Sequence, residues 1–259
     1  MPLSLGARLT VDLGNTRCKL RLWDPSDAVV GRLDLEAKPG YLVAVKAWLE
    51  EAGQLDAIAM CAVAGLERED QLRELLQHLA PAALLAEPDF ALELDCAHTE
   101  TIGRDRLFAA RGAVERTGRS SIVVDCGTAL TVDLVLVEDG RATFKGGAIA
   151  PGPELLAQAL REGGARLPGF ELDPAAPALG KHTRAALQAG VAVGLRGAAR
   201  ELVQGLAETV PGEALPLVLT GGARDFVTSG LPLAAEVIEV PDLVHVGLLA
   251  AIEIAGGTR

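Results

Sequence analysis

Asp12-Leu13-Gly14-Asn15-Thr16-Arg17-Cys18-Lys19 follows the apolar stretch that begins at Leu9 and leads into a second one ending at Trp23. The segment reads as strand, tight turn, strand. Gly14 admits a positive φ and lets another group approach the backbone closely. Asn15 and Thr16 place donors beside it, and Asp12, at the strand's end, could orient a Mg²⁺ ion or its water shell. Strand alternation sets Arg17 and Lys19 on one side, where either could reach a phosphate. The same residues also suit an ordinary β-hairpin, so this turn alone leaves both readings open.

A second turn, Val124-Asp125-Cys126-Gly127-Thr128-Ala129, repeats the pattern with small and hydroxylated residues after the glycine. A third, Thr220-Gly221-Gly222-Ala223, follows an apolar strand and opens a predicted helix. Three such turns in order, each after a strand, favour phosphate binding over chance hairpins. Around them the pattern predicts strands over Leu9–Leu13, Cys18–Trp23, Ala28–Leu35, Ala57–Val63 and Ala82–Leu85, with helices over Leu42–Ala52 and Arg68–Leu79. The second half predicts strands over Ser121–Asp125, Leu130–Val137, Ala142–Ala148, Leu215–Leu219 and Glu236–Val240. Its helices fall at Glu154–Glu162, Arg184–Glu208 and Leu243–Ala255. Two halves that each begin strand–turn–strand–strand imply a duplication, hence two α/β domains with a ligand-binding cleft between them.

The composition narrows the function. The 259 residues, 49% hydrophobic and 23% charged, are those of a globular protein large enough for two cores. A net charge of −11 argues against nucleic-acid binding, which needs dense Lys and Arg. No basic leader with a long apolar stretch opens the chain, and no run approaches a membrane span. Cys18, Cys61, Cys96 and Cys126 are scattered without a CxxC pair, which fits free thiols in a reducing cytoplasm. His78, His245 and Trp48 read as packing or surface residues, and the charges of Glu67–Arg73 as a solvated helix face.

The paired turns are the arrangement of the acetate and sugar kinase/Hsp70/actin superfamily. Within it the chain resembles type III pantothenate kinases along nearly its whole length. The resemblance is carried by Asp12–Lys19, Gly103-Arg104-Asp105-Arg106, Asp125–Ala129, Gly146-Gly147-Ala148-Ile149-Ala150-Pro151-Gly152, Leu167-Pro168, and Thr183 with Gly190 and Gly194. It implies two ribonuclease H-like domains, 1–115 and 116–259, and transfer of the ATP γ-phosphoryl group to the primary hydroxyl of pantothenate, the first step toward coenzyme A. It further implies that Asp12, Leu13, Gly14, Asn15, Thr16, Arg17, Cys18, Lys19 and Thr128 hold ATP with Mg²⁺. Gly103, Arg104, Asp105 and Arg106 would line the acceptor site with Asp105 as proton acceptor, and Thr183 would touch substrate. Asp125 would bind a monovalent cation, K⁺ or NH₄⁺, and the enzyme would be a homodimer.

The residues fit that chemistry on their own terms. An Arg guanidinium clamps a carboxylate such as that of pantothenate, which makes Arg104 or Arg106 an anchor. Asp105 begins a predicted helix, where a carboxylate is favoured in its ionised form; a plain helix N-cap is the other reading of it. Three departures from the family fall on the acceptor side. Cys96 stands where a substrate-binding Tyr is usual, His98-Thr99-Glu100-Thr101 where a Pro usually precedes the Gly-x-Asp-Arg motif, and Lys181-His182-Thr183 where Arg-Asn-Thr is usual. They keep two alternatives in view: a kinase or hydrolase of the same fold with another acceptor, and a non-catalytic regulator like the Bvg accessory factors.

Overall fold

Asp12 lies near the end of the first strand of the computed structural model, which describes residues 6–80, 83–85, 87–164, 167–232 and 236–257. In chain order the elements begin with β1 (Arg8–Leu13), β2 (Arg17–Trp23), β3 (Val29–Glu36), α1 (Tyr41–Ala52), β4 (Ala57–Ala62) and α2 (Leu66–Leu79). A short strand β5 (Glu93–Leu94) precedes α3 (Arg104–Thr117), and β6 (Ser121–Cys126), β7 (Ala129–Glu138) and β8 (Arg141–Pro151) follow. Then come α4 (Pro153–Gly163), α5 (Thr183–Glu208), β9 (Leu217–Thr220), the single turn α6 (Asp225–Thr228), β10 (Val237–Glu239) and α7 (Leu243–Ala255).

The first unit carries a four-stranded sheet in the order β3-β2-β1-β4, antiparallel except for the parallel β1–β4 pair. Alternation gives β1 two different faces. Leu9, Val11 and Leu13 lie opposite Leu22, Leu20 and Cys18 of β2. Together they form an apolar core with Val45 and Leu49 of α1 and Leu72 and Leu76 of α2. The other face carries Thr10 and Asp12, opposite Arg21 and Lys19 on β2 and Ala59 and Cys61 on β4. Helix α7 packs against β1 and β4. Its His245 is buried, with Nδ1 2.9 Å from the Thr10 hydroxyl, which also accepts the Trp23 indole N–H at 2.8 Å. His245 is thus a packing residue with a specific partner, while His78 is exposed and Trp48 borders the core.

The second unit repeats the plan with strand order β10-β9-β6-β7-β8-β5. Again three antiparallel strands in sequence form a meander, and a later strand joins its first strand in parallel. The α5 residues Val191, Ala192, Leu195, Ala199 and Val203 cover one face of this sheet. Strands β7 and β8 run longer than the alternation predicts. Of the strand read at Ala82–Leu85, Ala82 lies outside the described residues, and Leu84 makes an isolated parallel bridge to Ile58.

The chain does not divide into two consecutive halves. Residues 1–92, 98–116 and 243–259 cluster as one unit, and residues 93–97 and 117–242 as the other. The closing helix, assigned to the second domain by its position in sequence, therefore packs within the first. The reason is close approach between helices. A Cβ on Gly247 of α7 would stand 2.0 Å from the Phe108 carbonyl oxygen of α3, and one on Gly112 of α3 would stand 2.3 Å from that of Leu243. Only hydrogen fits at either point. Gly247→Ala should therefore cost about 1–3 kcal/mol or more of stability by overpacking. Gly205→Ala, in open space on α5, should be neutral or slightly stabilising. Urea unfolding of both variants checks the contrast.

Candidate active site

The turn after β1 is held by its own backbone. The Gly14 N–H donates to the Arg17 carbonyl at 2.8 Å, and the Ala37 N–H to that of Thr16 at 2.9 Å. Asn15, Thr16 and Arg17 are exposed, whereas Leu13 and Cys18 are fully buried. Of the eight residues read as a phosphate turn, Leu13 and Cys18 thus have side chains in the apolar core, and burial pushes the Cys18 thiol up to about 12. The residues on the polar face are Asp12 and Lys19, with Lys19 Nζ 3.7 Å from Asp12 Oδ2.

Asp105 comes from the first turn of α3. Its Oδ1 accepts the Arg106 backbone N–H at 2.9 Å, so the side chain folds back over the helix N-terminus. Gly103 makes room for that fold, because a Cβ there would stand 2.5 Å from Asp105 Oδ1. The ionised form favoured by the helix start is outweighed here. Burial raises the Asp105 pKa above its ordinary value, against the lowering effect of the Arg106 N–H bond and the Arg106 charge.

Asp12 is raised as well, by burial first and by the Asp105 charge, while Lys19 and Arg21 act in the opposite direction. Cys61, paired in register with Asp12 on β4, lies in the same field. Burial and the charges of Asp12 and Asp105 push its thiol well above the ordinary value. Sequence alone assigned Cys61 no place here, and only the parallel β1–β4 register reveals it. Arg21 was likewise missed. It is buried beneath this face and pairs with Asp34 through two nitrogens, at 2.8 and 3.2 Å.

The two motif arginines part company. Arg104 donates to the Pro88 carbonyl at 2.8 Å, lies 5.6 Å from the Phe108 ring centroid, and lines a cavity of about 470 Å³ with Met60, Glu69 and Arg73. Arg106 instead exerts its charge on Asp105. Arg106 is therefore the better placed of the two to anchor an acceptor beside that carboxylate.

In the second unit Asp125 and Cys126 end β6, and Gly127 and Thr128 form the turn into β7, with Thr128 exposed. Main chain closes on this turn from two directions. A Cβ on Gly221, whose φ is +96°, would lie 2.2 Å from the Cys126 carbonyl oxygen and 2.4 Å from Asp125 Oδ1. One on Gly152 would meet the Gly127 carbonyl oxygen at 2.2 Å. The Asp125 carboxylate and the Cys126 carbonyl, which also accepts the Ala223 N–H at 2.8 Å, thus set oxygens side by side here. Among the described residues no three His, Cys, Asp or Glu side chains gather as a metal cluster, so any ion here would lean on backbone oxygens. Thr183 opens α5 and is exposed, after His182 caps the helix by accepting the Ala185 N–H at 3.3 Å. Cys96 follows β5, and its Sγ lies 3.3 Å from where a Cβ on Gly146 would be.

These features are those of the acetate and sugar kinase/Hsp70/actin fold, two ribonuclease H-like α/β domains. The fold is shared with a ROK family glucokinase from Streptomyces griseus solved with glucose and AMPPNP. That likeness has a TM-score of 0.55 at 15% identity and covers 96% of this chain and 99% of that one. The family described as type III pantothenate kinase matches residues 8–205. A type III pantothenate kinase from Thermomicrobium roseum is 36% identical over 193 residues, 70% of this chain and 71% of that protein. One from Thermus thermophilus is 33% identical over 253 residues, 93% and 96% of the two chains. The chain belongs to the type III pantothenate kinase family.

The raised Asp12 pKa has a signed consequence. At low pH the group is neutral in both the folded and the unfolded chain. As pH rises the unfolded chain ionises first, so stability falls as pH climbs from the ordinary aspartate value through the raised one. Asp12→Asn should therefore melt at a higher temperature than wild type near about pH 7, with the gap closing toward about pH 3. Thermal melts across that range check both the sign and the window.

Proposed function

We propose that this chain transfers the γ-phosphoryl group of ATP to the primary hydroxyl of pantothenate, giving 4′-phosphopantothenate on the way to coenzyme A. The observation that carries the reading, together with family membership, is the placement of Asp105. Its half-buried carboxylate, raised in pKa by burial, acts through its charge on Asp12, which in turn faces Lys19 at 3.7 Å. In the reaction the acceptor oxygen bonds to the γ-phosphorus, the bond to the β-phosphate bridging oxygen breaks, and the hydroxyl proton passes to Asp105. The transition state is loose, so Asp105 need only orient the hydroxyl and take its proton late. Its raised pKa suits that task better than a surface aspartate would.

Lys19, Arg17 and the exposed Asn15 and Thr16 fit the phosphates of the nucleotide; Thr128, exposed in the second unit, is assigned to the nucleotide by the family likeness alone. Mg²⁺ fits the buried Asp12 carboxylate and would supply neutralising charge to the phosphates. Arg106 is assigned to the pantothenate carboxylate, with Gly103 shaping that site; Thr183 and the Cys96 position are assigned to the acceptor by the family likeness alone. A monovalent cation is assigned to Asp125 and the Cys126 carbonyl. The homodimer reading is supported by large apolar side chains exposed in the second unit, Ile149 and Leu179 among them. No helix among the described residues is long and apolar enough to cross a membrane, and the buried thiols suit a cytoplasmic setting.

A coupled assay with pantothenate, ATP, Mg²⁺ and K⁺ tests the reading. Asp105→Asn should lower kcat by about 10²–10⁴ with the fold intact, as loss of a general base does. No pantothenate-dependent ADP release from folded wild type would sink the assignment, and ADP release without acceptor would point to a hydrolase. Separately, activity should rise with K⁺ or NH₄⁺ over Na⁺, and Asp125→Ala should abolish that dependence. A wild type indifferent to the cation removes it from the site.

A further inference from the structure

Arg68 sits in the first turn of α2, amid the charges that the sequence presents as a solvated helix face. Its side chain is half-buried instead. Nη1 donates to the main-chain carbonyl of Asn15 at 2.9 Å and to that of Ala37 at 3.2 Å, reaching 53 residues back to the first. Glu67, Glu69 and Asp70 adjoin it in sequence, yet among the described residues no carboxylate pairs with it. Ordering a long, flexible cation onto two neutral carbonyls costs side-chain entropy that a solvated residue would keep.

We propose that Arg68 is a positioning residue for the phosphate-holding turn, acting through the Asn15 carbonyl. The proposal rests on the reading of Asp12–Lys19 as the segment that holds the nucleotide phosphates. The backbone on either side of Asn15 is already tied. Val63 N–H donates to the Leu13 carbonyl at 3.0 Å, Gly14 N–H to that of Arg17, and Ala37 N–H to that of Thr16. Arg68 adds the Asn15 carbonyl to this set and fastens it to the end of β3 and to α2. A trans peptide is planar with its C=O and N–H edges opposed. Holding the Asn15 oxygen toward Arg68 therefore fixes the tilt of the Asn15–Thr16 peptide and turns its opposite edge away from α2. The exposed Asn15 and Thr16 side chains hang from that plane. A guanidinium beside the turn also adds positive field where an anion is to bind, and partial burial weakens its screening by salt.

A staple that only joined α2 to β3 would affect stability and nothing specific to phosphate. The two roles separate in one experiment on the full chain. Wild type, Arg68→Met and Arg68→Lys are compared for kcat, both KM values, melting temperature, and the inhibition constants of ADP and adenosine against ATP. Arg68→Met should raise the ATP KM and the ADP constant about tenfold, the scale of one charge-assisted hydrogen bond. The adenosine constant and the pantothenate KM should stay within about twofold, and Arg68→Lys should recover part of the loss because it keeps the cation. If Arg68→Met does not fold, Arg68→Gln, neutral but able to donate, supplies the same comparison. An unchanged ATP KM, or adenosine weakened in step with ADP, overturns the positioning role alone. A wild type that neither binds ADP nor turns over ATP overturns the phosphate reading of the turn as well.

Discussion

The Asp12 carboxylate, with 14% of its side chain exposed, faces Lys19 at 3.7 Å and lies within the field of Asp105. A charge in that position is tolerated only if the surroundings are fixed, because movement would let water in and dissolve the arrangement. β1 meets the requirement by being two-faced. Leu9, Val11 and Leu13 bury one side against α1 and α2, which holds the strand still while Thr10 and Asp12 present the other. Arg21 and Lys19 then supply positive charge from β2 by the same alternation, two residues apart. The polar face is costly and the apolar face offsets it, strand by strand.

The two units build their glycine-containing turns by different means. In the first, side chains dominate: the carboxylates of Asp12 and Asp105, Lys19 and the buried guanidinium of Arg21. In the second, main chain dominates, and glycine is what permits it. Gly221 and Gly152 bring backbone within about 2 Å of where a side chain would begin, against the carbonyls of Cys126 and Gly127. Gly103 serves the first unit similarly by leaving space for Asp105 to fold back.

Much of this was legible in the sequence because it depends on local chemistry. The turns at Gly14 and Gly127 announce themselves by residue type and by the apolar strands before them. The two similar halves emerge as matching meanders with a parallel strand added at the same place. What escaped depends on distance. Cys61 enters the site through the β1–β4 register, and the Arg68 bonds to Asn15 and Ala37 join segments that no local pattern connects. The raised pKa of Asp105 also escaped, since helix position favours ionisation and only burial, a tertiary property, reverses the sign. The return of α7 to the first unit follows from the fit of Gly247 against Phe108, which composition does not reveal.

That return carries a temporal meaning. Residues 7–83 complete one core of the first unit, but the helix whose His245 meets Thr10 is translated after every strand of the second. Until α7 emerges, the side of β1 that bears Thr10 and Asp12 lacks part of its cover and is open to water. The first unit therefore cannot be finished before the second has been translated. The helix that covers the face begun by the first strand is translated only after the strands of the second unit, so the two units are interleaved in synthesis although each packs by itself.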